Sequence, residues 1–207
     1  MSTLRVGAIQ TATGQNALTL ANNGVITPAK PIIANLYMST AFHDFTEQSW
    51  HRCRFDSSDI DTYGNVANTT SHRFDIPVAG YYEVYCQIYF GATGNEANIR
   101  DTAMIITRTP SGGSEEVISS VHHRHYDAGS GDQDTSDVSE TTHTIVNCAV
   151  GDQIIFRHNC NTDNSQAYDT YAFIGEDENS HIRYPASASV ANNIAGRATH
   201  AWIKRIA

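Results

Sequence analysis

The sequence predicts an all-β sandwich or barrel, and three observations predict it. Helical periodicity is nearly absent: no apolar three-four stripe of helical length occurs in the 207 residues. Strand-like apolar runs recur instead, bounded by Gly, Asn, Asp and Ser. Charged residues make up 17% of the chain, below the roughly 25% of an average domain. Thr, Asn, Ser, Gly and Tyr fill the difference, which is a strand-and-loop composition.

The first thirty residues differ from the rest. Thr13-Gly14-Gln15-Asn16 and Asn22-Asn23-Gly24 are turn signals between short apolar pieces at 6–9, 17–20 and 25–26. Pro28 and Pro31 then bracket Lys30 and stiffen the junction. Residues 1–31 therefore read as an extended arm or small β-stem. Its apolar residues Leu4, Val6, Ile9, Leu18 and Leu20 are too few for a core of their own. They are the candidates for packing on another surface, and so for anchoring.

Residues 32–207 form the main domain. Its expected strands are 32–38, 73–76, 81–90, 100–109, 116–121, 142–148, 153–158, 168–174 and 198–206. Two long loops interrupt them, an acidic one at 126–140 and an Ala/Asn/Ser-rich one at 175–196. Pro77 to Gly80 is a turn that launches the longest strand. Period-two alternation puts Tyr82, Val84, Cys86, Ile88 and Phe90 on one face, the expected core. Tyr81, Glu83, Tyr85, Gln87 and Tyr89 lie on the other. Three tyrosines make that second face too apolar to leave wholly wet, so it is expected to meet another subunit.

Charge excludes several functions. Thirteen Lys+Arg against 22 Asp+Glu give a net charge of −9. A phosphate footprint or an anionic membrane surface calls for clustered positive charge, so no nucleic-acid or membrane partner is expected. No run reaches the roughly 18 apolar residues of a spanning helix, and the start has no apolar signal segment. Cys53, Cys86, Cys148 and Cys160 are far apart and lack zinc spacing. They are expected to be buried thiols.

Phe74, Ile76, Gly80, Tyr82, Val84, Gln87, Ile88 and Phe90 together resemble the signature of the tumour-necrosis-factor/complement-C1q superfamily. Tyr81 and Glu83 stand where that family prefers aliphatic residues. Ala149-Val150-Gly151-Asp152 with the strand after it, the last strand at 198–206, and Phe55 with Asp61 add to the likeness. The resemblance implies a ten-stranded jelly roll over residues 32–207 that forms a homotrimer. It also implies that the face of Tyr81, Glu83, Tyr85, Gln87 and Tyr89 points at the threefold axis. Three copies of Glu83 there would repel unless paired. Residues 2–10, 17–20 and 24–27 resemble leader segments of structural proteins in tailed bacteriophages, those of cyanobacterial phages above all. That resemblance implies a leader anchored in the virion and a β-rich head displayed outward.

Chemistry is sparse. His122-His123-Arg124-His125 reads first as an exposed polar strand end. As metal ligands, His123 and His125 would share a strand face. Asp132 and Asp134, in the acidic loop with Asp127, Asp137 and Glu140, could offer oxygens to calcium, as C1q-like trimers do. Otherwise no cofactor is expected. No GxSxG elbow, P-loop or HExxH is present, and no enzymatic activity is expected.

The functional expectation is a homotrimeric virion-surface structural protein, assembled in the host cytoplasm. Its first reading is a capsid decoration or cement protein partnered by the major capsid protein. A second is a short tail fibre, partnered by tail proteins, whose loops bind a host-surface glycan or protein. A third is a soluble C1q-like binding protein.

Overall fold

The computed structural model describes residues 8–10, 16–20, 26–28, 31–39, 42–46, 49–92, 99–124, 137–162, 168–171 and 199–206. The chain divides into two compact units, Met1–Pro31 and Ile32–Ala207. In the first, β1 (Ala8–Gln10), β2 (Asn16–Leu20) and β3 (Ile26–Pro28) make an antiparallel sheet in that order. Ile9 pairs with Leu18, and Leu20 with Ile26.

The second unit is built of β4 (Ile33–Tyr37), β5 (Phe42–Phe45), β6 (His51–Arg52), β7 (Ala67–Asn68), β8 (Arg73–Asp75) and β9 (Gly80–Ala92). There follow β10 (Ile99–Thr109), β11 (Glu116–Arg124), β12 (Asp137–Cys148), β13 (Gln153–Thr162), β14 (Tyr168–Tyr171) and β15 (His200–Arg205). One six-stranded sheet runs β11-β10-β13-β8-β7, with β6 also on β13. The other runs β4-β15-β9-β14-β5, with β12 also on β9. Every pairing is antiparallel. β6 and β7 are two-residue pairings. The other strands of the two sheets are the ten of the expected all-β jelly roll.

β9 organises the second sheet. β12 pairs with it from Gly80 to Gly91 and so takes one whole edge. β15 and β14 share the other edge, at residues 82–87 and 90–92. The inward residues of β9 behave as the alternation predicts: Tyr82, Val84, Cys86, Ile88 and Phe90 are fully buried. Tyr82 donates its hydroxyl to the Val78 carbonyl at 2.6 Å, which satisfies its one polar atom. Ala34, Leu36, Met38, Ala201 and Ile203 extend the same buried layer. Across from them, Phe156 meets Phe55 and Phe74 edge-to-face at 5.6 and 5.7 Å.

Residues 57–62 cover the free edge of β4. Asn35 and Tyr37 donate their N–H groups to the carbonyls of Ile60 and Ser57, and Thr62 donates back to Ile33. Asp61 holds this segment in place, its carboxylate accepting the N–H groups of Tyr63, Gly64, Val66 and Ala67 at 2.7–3.1 Å. Gly64 sits at φ +91°, which favours glycine there. The Gly-Asp turn before β13 follows the same logic. Gly151 has φ +86°, and buried Asp152 accepts from Ala149 and Ser111.

Two expectations change. Residues 137–140, expected in a loop, are the start of β12. Glu140 is 1% exposed, because Thr102 Oγ1 and His123 Nδ1 each bond its carboxylate at 2.5 Å. The strands β5, β6 and β7 were not expected, being too short to show a period. All four cysteines are buried thiols.

His158 is fully buried on β13 against Phe45 and Phe90. Burial, with like charge from His51 and Arg54, pushes its imidazole down to about 3. The folded state therefore holds it neutral, while the unfolded chain takes up a proton below about 6.5. Its contribution is complete above pH 6.5 and is lost as pH falls toward 3. Unfolding free energy should fall by about 1.4 kcal/mol per pH unit once below that midpoint. Urea titrations between pH 7 and 5 should show this slope, and His158→Phe should flatten it.

Candidate functional face on the β9 sheet

The site follows from the register of three strands. Alternation turns Tyr81, Glu83, Tyr85, Gln87 and Tyr89 away from the core. On one side, β12 sets His143 beside Tyr85, Ile145 beside Glu83 and Thr141 beside Gln87. On the other, β15 sets Trp202 beside Tyr85, His200 beside Gln87 and Lys204 beside Glu83. Cross-strand neighbours on one face lie within side-chain contact, so the rings meet.

Tyr85 stacks on Trp202, with centroids 5.7 Å apart and planes 14° from parallel. His200 lies 5.6 Å from the Tyr85 ring and His143 6.4 Å from the Trp202 ring. The Tyr85 hydroxyl donates to Gln87 Oε1 at 2.9 Å, and burial pushes that hydroxyl upward from its ordinary value. Glu83 accepts from His143 Nε2 at 3.0 Å and has Lys204 as its strand neighbour. The one acidic residue of β9 on this face therefore has a hydrogen-bond partner within the same chain.

At the Gly80 end the face becomes more apolar. Tyr81 is 50% and Ile145 56% exposed, and exposed Ile206 bonds its N–H to the Tyr81 carbonyl. At the other end the alternation gives way. Tyr89 is buried, its N–H donated to Thr199 Oγ1 at 3.0 Å. Of the five residues expected at a subunit interface, Tyr81, Glu83, Tyr85 and Gln87 lie on accessible surface, and Tyr89 does not.

Among the described residues the remaining candidates are not gathered into a site. His123 is held by Glu140, and His122 faces Asp101 at 3.6 Å. His125, Asp132 and Asp134 lie outside the described residues. Among the described residues no group of three or more His, Cys, Asp or Glu could hold a metal ion. Of the anchoring candidates, Ile9, Leu18 and Leu20 are in β1 and β2, and Leu4 and Val6 lie outside the described residues. Trp202, His200, His143 and Ile145 belong to the face but were not singled out from the sequence. Alternation along 198–206 was the signal that could have found Trp202 and His200.

No family model and no curated relative matches the sequence. Solved structures do match the fold. Eiger TNF from S. frugiperda is similar at a TM-score of 0.52 and 13% identity, over 86% of this chain and 94% of that one. Murine APRIL is similar at a TM-score of 0.52 and 10% identity, over 86% of this chain and 100% of that one. The class defined by the two sheets and these neighbours is the TNF-like jelly roll.

In a single protomer the Glu83–His143 pair is partly exposed, so its coupling should be about 0.2–1 kcal/mol. A double-mutant cycle with Glu83→Gln and His143→Gln, followed by urea unfolding at low protein concentration, measures it. A larger coupling at high protein concentration is expected if assembly removes water from the pair.

Proposed function

We propose that the Ile32–Ala207 unit assembles as a homotrimer through the outward face of the β9 sheet, and that the chain acts as a structural, displaying protein. The observation that carries this is the stacked Tyr85–Trp202 pair, set on an open sheet face beside His200, His143 and exposed Ile145. An aromatic, weakly charged patch of this kind gains most from burial against other protein. The occupant is a further copy of this chain. The likeness to the TNF/C1q superfamily supports it, since that family's trimers close on this face. The internal Glu83–His143 hydrogen bond supports it too, because it gives each Glu83 carboxylate a partner from its own chain near an axis.

In this reading the protein works by contact area rather than catalysis. Residues 1–31 serve as the attachment arm, and three arms per trimer bind multivalently, so weak single contacts sum to firm attachment. The likeness of residues 2–27 to phage leader segments supports a virion surface as the attachment site, with the capsid lattice ahead of the tail. A tail-fibre role would fall to the loops at 126–136 and 175–196, which lie outside the described residues.

Light scattering on the full chain should give about 68 kDa, three times 22.7 kDa. Trp202→Glu should reduce this to one protomer while keeping a β-type circular dichroism spectrum. Removal of residues 1–31 should leave the trimer intact but unable to join the particle. Wild-type protein remaining at one protomer mass at tens of micromolar would refute the assembly.

A further inference from the structure

Three arginines stand together on the outward face of the first sheet. β13 pairs with β6 and β8, which sets Arg157 opposite Arg52 and Ile155 opposite Arg73. Alternation sends Arg52, Arg73 and Arg157 outward, because their neighbours Cys53, Phe74 and Phe156 are buried in the core. The Cys53 N–H bonds the Phe156 carbonyl at 3.0 Å. Arg52 and Arg157 are therefore a non-hydrogen-bonded cross-strand pair, the kind whose side chains stand closer. Arg73 is two residues along β13 from that pair, or about 7 Å at strand rise.

Like charges directly opposite one another destabilise a sheet, and carboxylates answer only two of these three. Arg157 forks onto Glu115, just before β11, at 2.7 and 2.8 Å. Arg73 Nε donates to Asp75 at 2.7 Å. Arg52 has a carbonyl instead, its Nη1 donating to Ser71 at 3.1 Å. Among the described residues no carboxylate lies within ion-pair distance of Arg52. Three positive charges less two negative leave this group cationic on a chain whose net charge is −9. Burial first, then the like charges of Arg157 and Arg73, holds the Arg52 guanidinium below its ordinary value, while Glu115 pulls the other way.

The turn between β7 and β8 holds Arg52 in place. Asn68 Oδ1 accepts the Ser71 N–H at 2.9 Å, and His72 Nδ1 donates to the Phe55 carbonyl at 2.6 Å. His72 sits at φ 52°, the one non-glycine residue at positive φ among the described residues. Such a conformation persists where the surroundings over-determine it, and it recurs at ligand clamps.

We propose that Arg52, flanked by Arg73 and Arg157, is a binding site for a compact oxyanion group of the sulfate, phosphate or carboxylate kind. A guanidinium carries five N–H donors, and Arg52 commits one of them to Ser71. Its planar fork matches two oxygens of such a group. The bound charge would offset the excess that Glu115 and Asp75 leave. The site is on the opposite sheet from the β9 face, so it stands whether or not the chain assembles.

Isothermal titration calorimetry of the full chain tests this, with inorganic sulfate, inorganic phosphate and acetate as separate probes. Ionic strength is held constant with sodium chloride. At least one probe should bind saturably in the millimolar range, one per chain. Arg52→Gln should weaken that binding about tenfold or more. Glu115→Gln removes a competing negative charge and should tighten it about fivefold. Arg124→Gln, at the far end of β11, should leave it unchanged. Phenylglyoxal labelling mapped by mass spectrometry reads the wild-type chain without any substitution. The binding anion should slow labelling of Arg52 more than that of Arg124. No saturable binding of any probe, equal affinity in Arg52→Gln, or an Arg52 labelling rate indifferent to all three anions would each overturn the proposal.

Discussion

Strand β9 carries apolar side chains on both faces, and one protomer can bury only one of them. Its inward face, Tyr82 to Phe90, is fully buried against the opposite sheet. Its outward face carries Tyr81 and Tyr85, and neighbouring strands add Trp202, His200, His143 and Ile145 by register. Much else in the second unit serves this strand. β12 occupies one edge along nearly all its length, and β15 and β14 divide the other. A 13-residue strand pinned on both edges is a rigid plate. Rigidity matters for its outer face, since side chains already stacked lose little freedom when another surface covers them.

Polar groups inside the sandwich are arranged so that few need water. Asp152 is buried and its carboxylate accepts two backbone N–H groups, that of Ala149 in the turn before β13 and that of Ser111 in the turn between β10 and β11. Glu140 is satisfied by Thr102 and His123. At the surface, Glu115, exposed just before β11, is pulled down to about 2, chiefly by the two-pronged bond from Arg157, with Thr107 assisting. These groups fix turn geometry and strand ends rather than forming a reactive centre. His158 is the exception in kind, because its environment is aromatic and holds it neutral.

Much of this was legible in the sequence because alternation is local. The run from Tyr81 to Phe90 announces both its faces, and the Gly-Asp turn at 151–152 and the positions of Phe55 and Asp61 mark the fold. What was not legible depends on register or on distant partners. Nothing near Glu140 in the chain shows that Thr102 and His123 will reach it, so a buried carboxylate read as a solvated loop residue. Tyr89 follows the alternation but is buried beside Thr199, 110 residues away. The neighbours of Tyr85 come from β12 and β15, more than 55 residues downstream.

The central claim is that Tyr85 and Trp202 face other copies of the chain rather than solvent. Hydroxyl-radical footprinting across a dilution series tests it directly, with exposed Trp50 as the internal reference. The expected result is strong protection of Tyr85 and Trp202 relative to Trp50 at micromolar concentration, lost together on dilution. Labelling of Trp202 that keeps a fixed ratio to Trp50 at every concentration would contradict the account.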